Sequence, residues 1–193
     1  MSLENSRSDE LANPLNVVLC WHMHQPQYQN LSSHQYALPW TYLHAIKDYV
    51  DMAYYLENAP KAKAVFNFSP VLLEQLIDYS QQIRLFFSHN QAIGDPLLSA
   101  LVAPTLPTDE EHYLALVKQC LKTNEKHLIS RFPQYQKLAD LALFLKKNNS
   151  TLIYTNNQFL SDLLTWYHLA WMAETTRKND NVTEWAGWCA VDV

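Results

Sequence analysis

Two imidazoles and an amide are grouped in His22-Met23-His24-Gln25, and Pro26 comes at once after them. Residues two apart on an extended backbone point to the same face, so His22 and His24 share one side of any strand they sit on. A pair of imidazoles placed this way has two chemical uses. They can hydrogen-bond a polar substrate at the floor of a cleft, or they can ligate zinc or manganese. A metal needs at least one more ligand, usually a carboxylate, and the chain has no second His-x-His, no His-Glu-x-x-His and no Cys-x-x-Cys. The plain alternative is a pair of histidines satisfied in a core. Gln25 adds an amide donor and acceptor, and Pro26 stops a ladder and turns the chain. These additions favour a polar substrate site.

The element that must position the pair is the apolar run Val17-Val18-Leu19-Cys20 before it. It reads as a buried strand, Leu15 to Trp21, with polar groups gathered at its carboxyl end as in α/β active sites. Residues 25–39 form a long polar loop, of a kind more often functional than idle. Pro39 opens a helix over Trp40 to Asn58, with Leu43, Ile46, Tyr49, Val50, Ala53 and Tyr54 as its buried stripe. Trp40, where loop meets helix, is a candidate substrate contact. His44 and Asp48 are four apart and can pair, which is ordinary on a solvated helix face.

Lys63 to Phe68 reads as a second strand, in which Asn67 interrupts an apolar pattern. If the strands are neighbours Asn67 reaches the same cleft; alternatively it caps the Ser69 turn. Ser69-Pro70 starts the next helix, with Ser69 as N-cap, running through Tyr79. Strand, helix, strand, helix is the opening of a parallel α/β sheet. The pattern then stops. Residues 81–108 are irregular or partly helical. Thr108 to Glu111 has capping-box spacing and starts a helix to about Ser130. Phe132-Pro133 precedes another helix to Lys147. Leu152 to Tyr154 is a short strand or an extended link. Gln158 to Ala173 is an aromatic helix whose Trp166, His168 and Trp171 are mostly core by spacing.

Composition narrows the classes. The chain has 193 residues and is 48% hydrophobic, enough for a real core. A net charge of -5 without a basic cluster argues against nucleic acid. No apolar run approaches the roughly 18–20 residues of a membrane span. Cys20, Cys120 and Cys189 are far apart and odd in number, which indicates reduced thiols and a cytoplasmic setting. Only 2 Gly are present, fewer than a complete barrel usually needs at its turns, so the chain reads as mostly helical or as an incomplete α/β domain. Residues 1–14 read as a flexible leader without signal-peptide character, 15–175 as the domain, and 176–193 as a tail of uncertain structure. From Glu184 the tail has no clear periodicity and carries Trp185 and Trp188.

At several of these positions the chain resembles glycoside hydrolase family 57. His22-Met23-His24-Gln25-Pro26 matches that family's first signature, His-x-His-Gln-Pro. The resemblance continues from Leu38-Pro39-Trp40 to Ala53, from Phe66-Asn67-Phe68-Ser69-Pro70 to Leu76, and from Asp162 to Trp171. It covers about residues 15–175. It implies a (β/α)₇ barrel, of which this chain would hold the first strands and a helix-rich insertion. It also implies retaining chemistry on α-glucans or maltooligosaccharides by α-amylase-like or 4-α-glucanotransferase-like enzymes, without a required metal or other cofactor. His22 and His24 would contact the sugar at the cleaved bond, with Gln25 and Trp40 nearby.

Retaining chemistry needs two carboxyl groups about 5–5.5 Å apart. Glu74, Asp78, Asp95, Asp109, Glu110, Glu111, Glu125, Asp140, Asp162 and Glu174 nearly all fall on helix faces or caps, where carboxylates are ordinary. None sits at a convincing strand end, so no catalytic pair is assigned, and the nucleophile and acid/base motifs of the family are missing. The expectation is a truncated member, inactive alone, that oligomerises through an exposed sheet edge. Two alternatives stand beside it: a metal-dependent hydrolase using His22 and His24, and a non-catalytic glucan-binding module.

Overall fold

The computed structural model describes residues 17–103, 105–107, 109–147 and 157–178. The expected leader 1–14, the segment Leu152 to Tyr154 and most of the tail lie outside the described residues. Two strands, β1 (Leu19–Met23) and β2 (Ala64–Phe68), pair in parallel. Leu19 faces Ala64 and His22 faces Asn67 in the ladder. The crossover between them is α1 (Trp40–His44), a π-helical turn (Ala45–Tyr49) and α2 (Val50–Glu57). This is the helix expected over 40–58, with Pro39 at its N-cap. The outcome is a helix-rich α/β fold with a two-stranded parallel sheet among the described residues.

The first strand departs from expectation in register and burial. It starts at Leu19 and runs on to Met23, so His22 is a ladder residue. Val18 is 76% exposed and Leu19 46%, while Met23 is 4% exposed. Among the described residues Met23 is the buried position of the sheet, and Leu19 at the amino end of β1 stays exposed. The helix stripe also splits. Leu43 is buried, but Val50, Ala53 and Tyr54 are exposed. The π turn inserts a residue and rotates the helix beyond it, so one apolar stripe cannot stay on one face. A tertiary bond is made within this turn: Ala173 N–H donates to the Ile46 carbonyl at 2.8 Å. The displaced residues line an open groove of about 510 Å³ with Phe68, Leu76 and Thr175.

After β2 comes α3 (Pro70–His89), ten residues longer than its apolar pattern predicts. It ends at Asn90, whose left-handed φ of 53° suits an amide side chain. Ser69 occupies the N-cap, yet its side chain makes no cap bond and its hydroxyl is buried without a partner. Next is α4 (Pro96–Val102), capped by Asp95, whose side chain accepts from Leu97 and Leu98 N–H. The helix predicted from Thr108 to Ser130 is divided. α5 (Glu110–Cys120) has Asp109 as its cap, and a second π turn (Glu125–Ile129) is capped by Asn124. The expected cap residue Thr108 is outside the described residues. Three helices complete the order: α6 (Pro133–Lys147), α7 (Asn157–Trp171) and α8 (Glu174–Arg177). The expected boundary at 175 falls within α8.

The core sits in the helical part, not on the sheet. Tyr135, Tyr167, Leu160, Leu163 and Val117 are almost fully buried where α5, α6 and α7 meet. α7 is buried on every side from Trp166 to Trp171, as a helix enclosed by others must be. Trp166, His168 and Trp171 are core residues, as their spacing predicts. No helix among the described residues is long and apolar enough to cross a membrane.

Candidate functional site

β1 carries His22 to the carboxyl end of the sheet, and the parallel register sets Asn67 of β2 opposite it. The amide oxygen of Asn67 faces the ring, so His22 Nδ1–H donates to Asn67 Oδ1 at 2.8 Å. In the neutral ring this leaves Nε2 with a free lone pair. His24 lies on the same face, its ring nearly parallel to that of His22, 6.0 Å between centroids at 19°. Met23 between them points into the fold. Both imidazoles are exposed, so they form an accessible double surface and not a satisfied core pair. Asn67 is thus beside His22, which the strand pattern alone left open.

Just past the ladder, Ser69 N–H donates to the Met23 carbonyl at 3.0 Å, tying the strand end to the start of α3. Gln25 is half-buried, and its Oε1 accepts from the Tyr28 hydroxyl at 3.4 Å. The polar loop beyond it is an ordered hairpin. Gln29 and Tyr36 form an antiparallel bridge, and the Asn30 side chain accepts from Ser32 and Ser33 N–H. Trp40 is placed differently from the histidines. Its ring packs on Trp171 at 5.8 Å, beside the helical core.

Sequence reasoning missed the residues that hold this loop. Gln75, Asp78 and Gln82 share a face of α3. Gln75 Nε2 donates to the Pro26 carbonyl at 2.9 Å, and its Oε1 accepts from Tyr28 N–H at 3.1 Å. Asp78 Oδ2 accepts from Gln29 at 2.7 Å, Tyr36 at 2.7 Å and Gln82 at 2.6 Å. Gln82 Oε1 accepts from Gly94 N–H, and the Gly94 carbonyl accepts from Tyr36 N–H. A Cβ on Gly94 would stand 2.3 Å from the His34 carbonyl oxygen, so only glycine fits under this hairpin. The available signal was the i, i+3, i+7 spacing of polar residues inside an otherwise apolar helix.

Electrostatics separates site from scaffold. His44 donates to Asp48, as their spacing predicts; with Lys47 alongside, these bonds hold the Asp48 carboxyl down at about 2. Deep in the core, His168 Nδ1–H donates to the Leu164 carbonyl at 2.7 Å, so its Nε2 accepts from the Tyr42 hydroxyl at 2.9 Å. Burial pushes His168 down to about 4 and keeps it neutral. Asp95, also fully buried, is pushed above the usual carboxylate range by burial, against the bonds it accepts from Leu98, Tyr79 and Leu97.

Among the described residues no carboxylate hydrogen-bonds His22 or His24. Asp48, Asp51, Asp78, Asp95, Asp109 and Glu174 are engaged in caps, ion pairs or the α3 network. Among the same residues, no group of three or more His, Cys, Asp or Glu is placed to hold a metal ion.

The arrangement presents a hydrogen-bonding imidazole pair, an amide and a second amide behind them, at the end of a parallel strand pair. A family model for Glycosyl hydrolase family 57 matches residues 18–181. No curated protein and no solved structure gives a significant match. The matched span takes in both strands, the hairpin and all the helices described, and on it the chain belongs to glycosyl hydrolase family 57.

Proposed function

We propose that this chain supplies one wall of an α-glucan cleft in a retaining glycoside hydrolase or transglycosylase of carbohydrate metabolism, α-amylase-like or 4-α-glucanotransferase-like. His22, His24, Gln25 and Asn67 form its floor, and Trp40 stands at its edge. The observation that carries this reading is the His22–Asn67 bond beneath two exposed, parallel imidazoles. His22 is held so that Nε2 can accept from a sugar hydroxyl, while Gln25, its oxygen taken by Tyr28, offers its Nε2 hydrogens. Family membership supports a glucan as the ligand.

The chain by itself binds without turning over. Supporting this, Asp48, Asp51, Asp78, Asp95, Asp109 and Glu174 are engaged in structural bonds and no carboxylate among the described residues hydrogen-bonds His22 or His24, whereas retaining chemistry needs two carboxyl groups about 5–5.5 Å apart. The same feature favours a second reading, a glucan-binding module. Among the described residues Cys20 and Cys120 are unpaired thiols, which supports a reducing, cytoplasmic setting. Leu19 and Val65, exposed on the two-stranded sheet of the described residues, support self-association through its edges. The domain is taken as residues 15–175.

The test is calorimetric titration of the chain with maltoheptaose, alongside a reducing-sugar assay. Saturable binding that is lost in His22→Ala and His24→Ala, with no product formed, is the expected result. Robust turnover would overturn the inactive reading; absence of binding would overturn the cleft.

A further inference from the structure

Gln75 is 1% exposed inside α3, and every hydrogen-bonding position of its amide is used. Nε2 donates to the carbonyls of Pro26 at 2.9 Å and Val71 at 3.2 Å. Oε1 accepts from Tyr28 N–H at 3.1 Å and from the Thr41 hydroxyl at 3.4 Å. Pairing with one residue's carbonyl and the N–H two residues on is what a neighbouring strand does in a ladder. Here a side chain does it, where Pro26 has ended the ladder. The segment His24-Gln25 therefore spans two clamps. On one side, Met23 faces Phe68 in the sheet and accepts from Ser69 N–H. On the other, Gln75 grips Pro26 and Tyr28, and Tyr28 in turn orients the Gln25 amide.

We infer that Gln75 is a positioning residue for saccharide binding: it fixes the backbone beyond Gln25 and so sets the direction in which His24 and Gln25 present their polar atoms. This rests on the reading of His24 and Gln25 as glucan contacts. Thr41 joins α1 to the same amide, so loop, α1 and α3 share one anchor. A leucine there would fill the space and take this partner from the Pro26 carbonyl, the Tyr28 N–H and the Thr41 hydroxyl, while the Val71 carbonyl keeps its helix bond. A glutamate would keep the acceptor toward Tyr28 but, when ionised, set a carboxylate against two carbonyl oxygens. On protonation it regains one donor.

The experiment compares the full chain with Gln75→Leu and Gln75→Glu by NMR and by maltoheptaose titration. In Gln75→Leu the His24 imidazole resonances move while those of His22, held by Asn67, stay. Hydrogen exchange at Tyr28 N–H speeds at least tenfold while α7 amides stay protected, and maltoheptaose affinity falls at least tenfold. In Gln75→Glu the affinity, taken relative to wild type at each pH, recovers as pH falls and the introduced carboxyl protonates. Unchanged His24 and Tyr28 signals in a folded variant would overturn the inference. So would loss of affinity in Gln75→Glu that is the same at every pH. If Gln75→Leu fails to fold, the isosteric Gln75→Glu carries the test alone. A wild-type chain that binds no maltoheptaose refutes the cleft, and the His24 and Tyr28 signals still decide the role of Gln75.

Discussion

Acidification should weaken this fold through one buried histidine. His168 is 6% exposed, with both ring nitrogens engaged, Nδ1–H toward Leu164 and Nε2 toward Tyr42. A second ring proton would reverse the bond to the Tyr42 hydroxyl and put a charge in a buried site against the rings of Tyr42 and Tyr167. Burial accordingly lowers its proton affinity from the ordinary 6.5 to about 4. The folded state thus binds fewer protons than the unfolded state between those values. Stability is fully present above about pH 6.5, is lost as pH falls, and levels off below about 4. At 1.36 kcal/mol per pH unit the loss is about 3 kcal/mol. Asp95, whose buried carboxyl is raised, acts in the opposite direction and stabilises on acidification. The clean quantity is therefore the difference between wild type and His168→Gln. Urea unfolding from pH 8 to pH 4 should show that difference shrinking by about 3 kcal/mol. Equal pH dependence in both proteins would refute the neutral, proton-excluding environment assigned to His168.

Three further changes probe the scaffold and the site. Asn67→Ala removes the acceptor that holds His22 Nδ1–H; because the pair is exposed, stability should change by less than about 1 kcal/mol, while maltoheptaose affinity falls about fivefold. Nitrogen-15 shifts should then show a mixed His22 tautomer, and an unchanged tautomer would contradict the assigned bond. Gly94→Ala forces a Cβ onto the His34 carbonyl and should cost about 1–3 kcal/mol in thermal unfolding; a neutral change would mean the hairpin is looser than described. Asp95→Ala removes the α4 cap and orphans the Tyr79 hydroxyl, a loss of about 2–3 kcal/mol that Asp95→Asn should lessen.

What the sequence made legible was local. The spacing of His22 and His24 placed both on one strand face, Pro39-Trp40 marked a helix start, and the aromatic rhythm of 158–173 marked a buried helix. Asn67 was visible as an oddity, but its role needed the parallel register that sets it opposite His22. The rest depended on partners distant in sequence. Gln75 is an ordinary helix residue until Pro26 and Tyr28, nearly fifty positions away, lie against it. In the π turn after His44 the Ile46 carbonyl accepts from Ala173 N–H, a partner far away in sequence. The exposure of β1 is equally nonlocal: an apolar run forms a strand by its own preference, but its burial depends on neighbours the run does not specify. Ser69 has the residue type of an N-cap, and still its hydroxyl turns into the fold.

The central claim is that His22 and His24 form the floor of a glucan cleft. The most direct measurement tracks the imidazole and Asn67 amide resonances of the labelled chain during titration with maltoheptaose. The account predicts saturable shifts at His22, His24 and Asn67 with one common dissociation constant, and no shift at His112 or His127. Saturable binding whose shifts bypass the two histidines, or no binding at all, would contradict it.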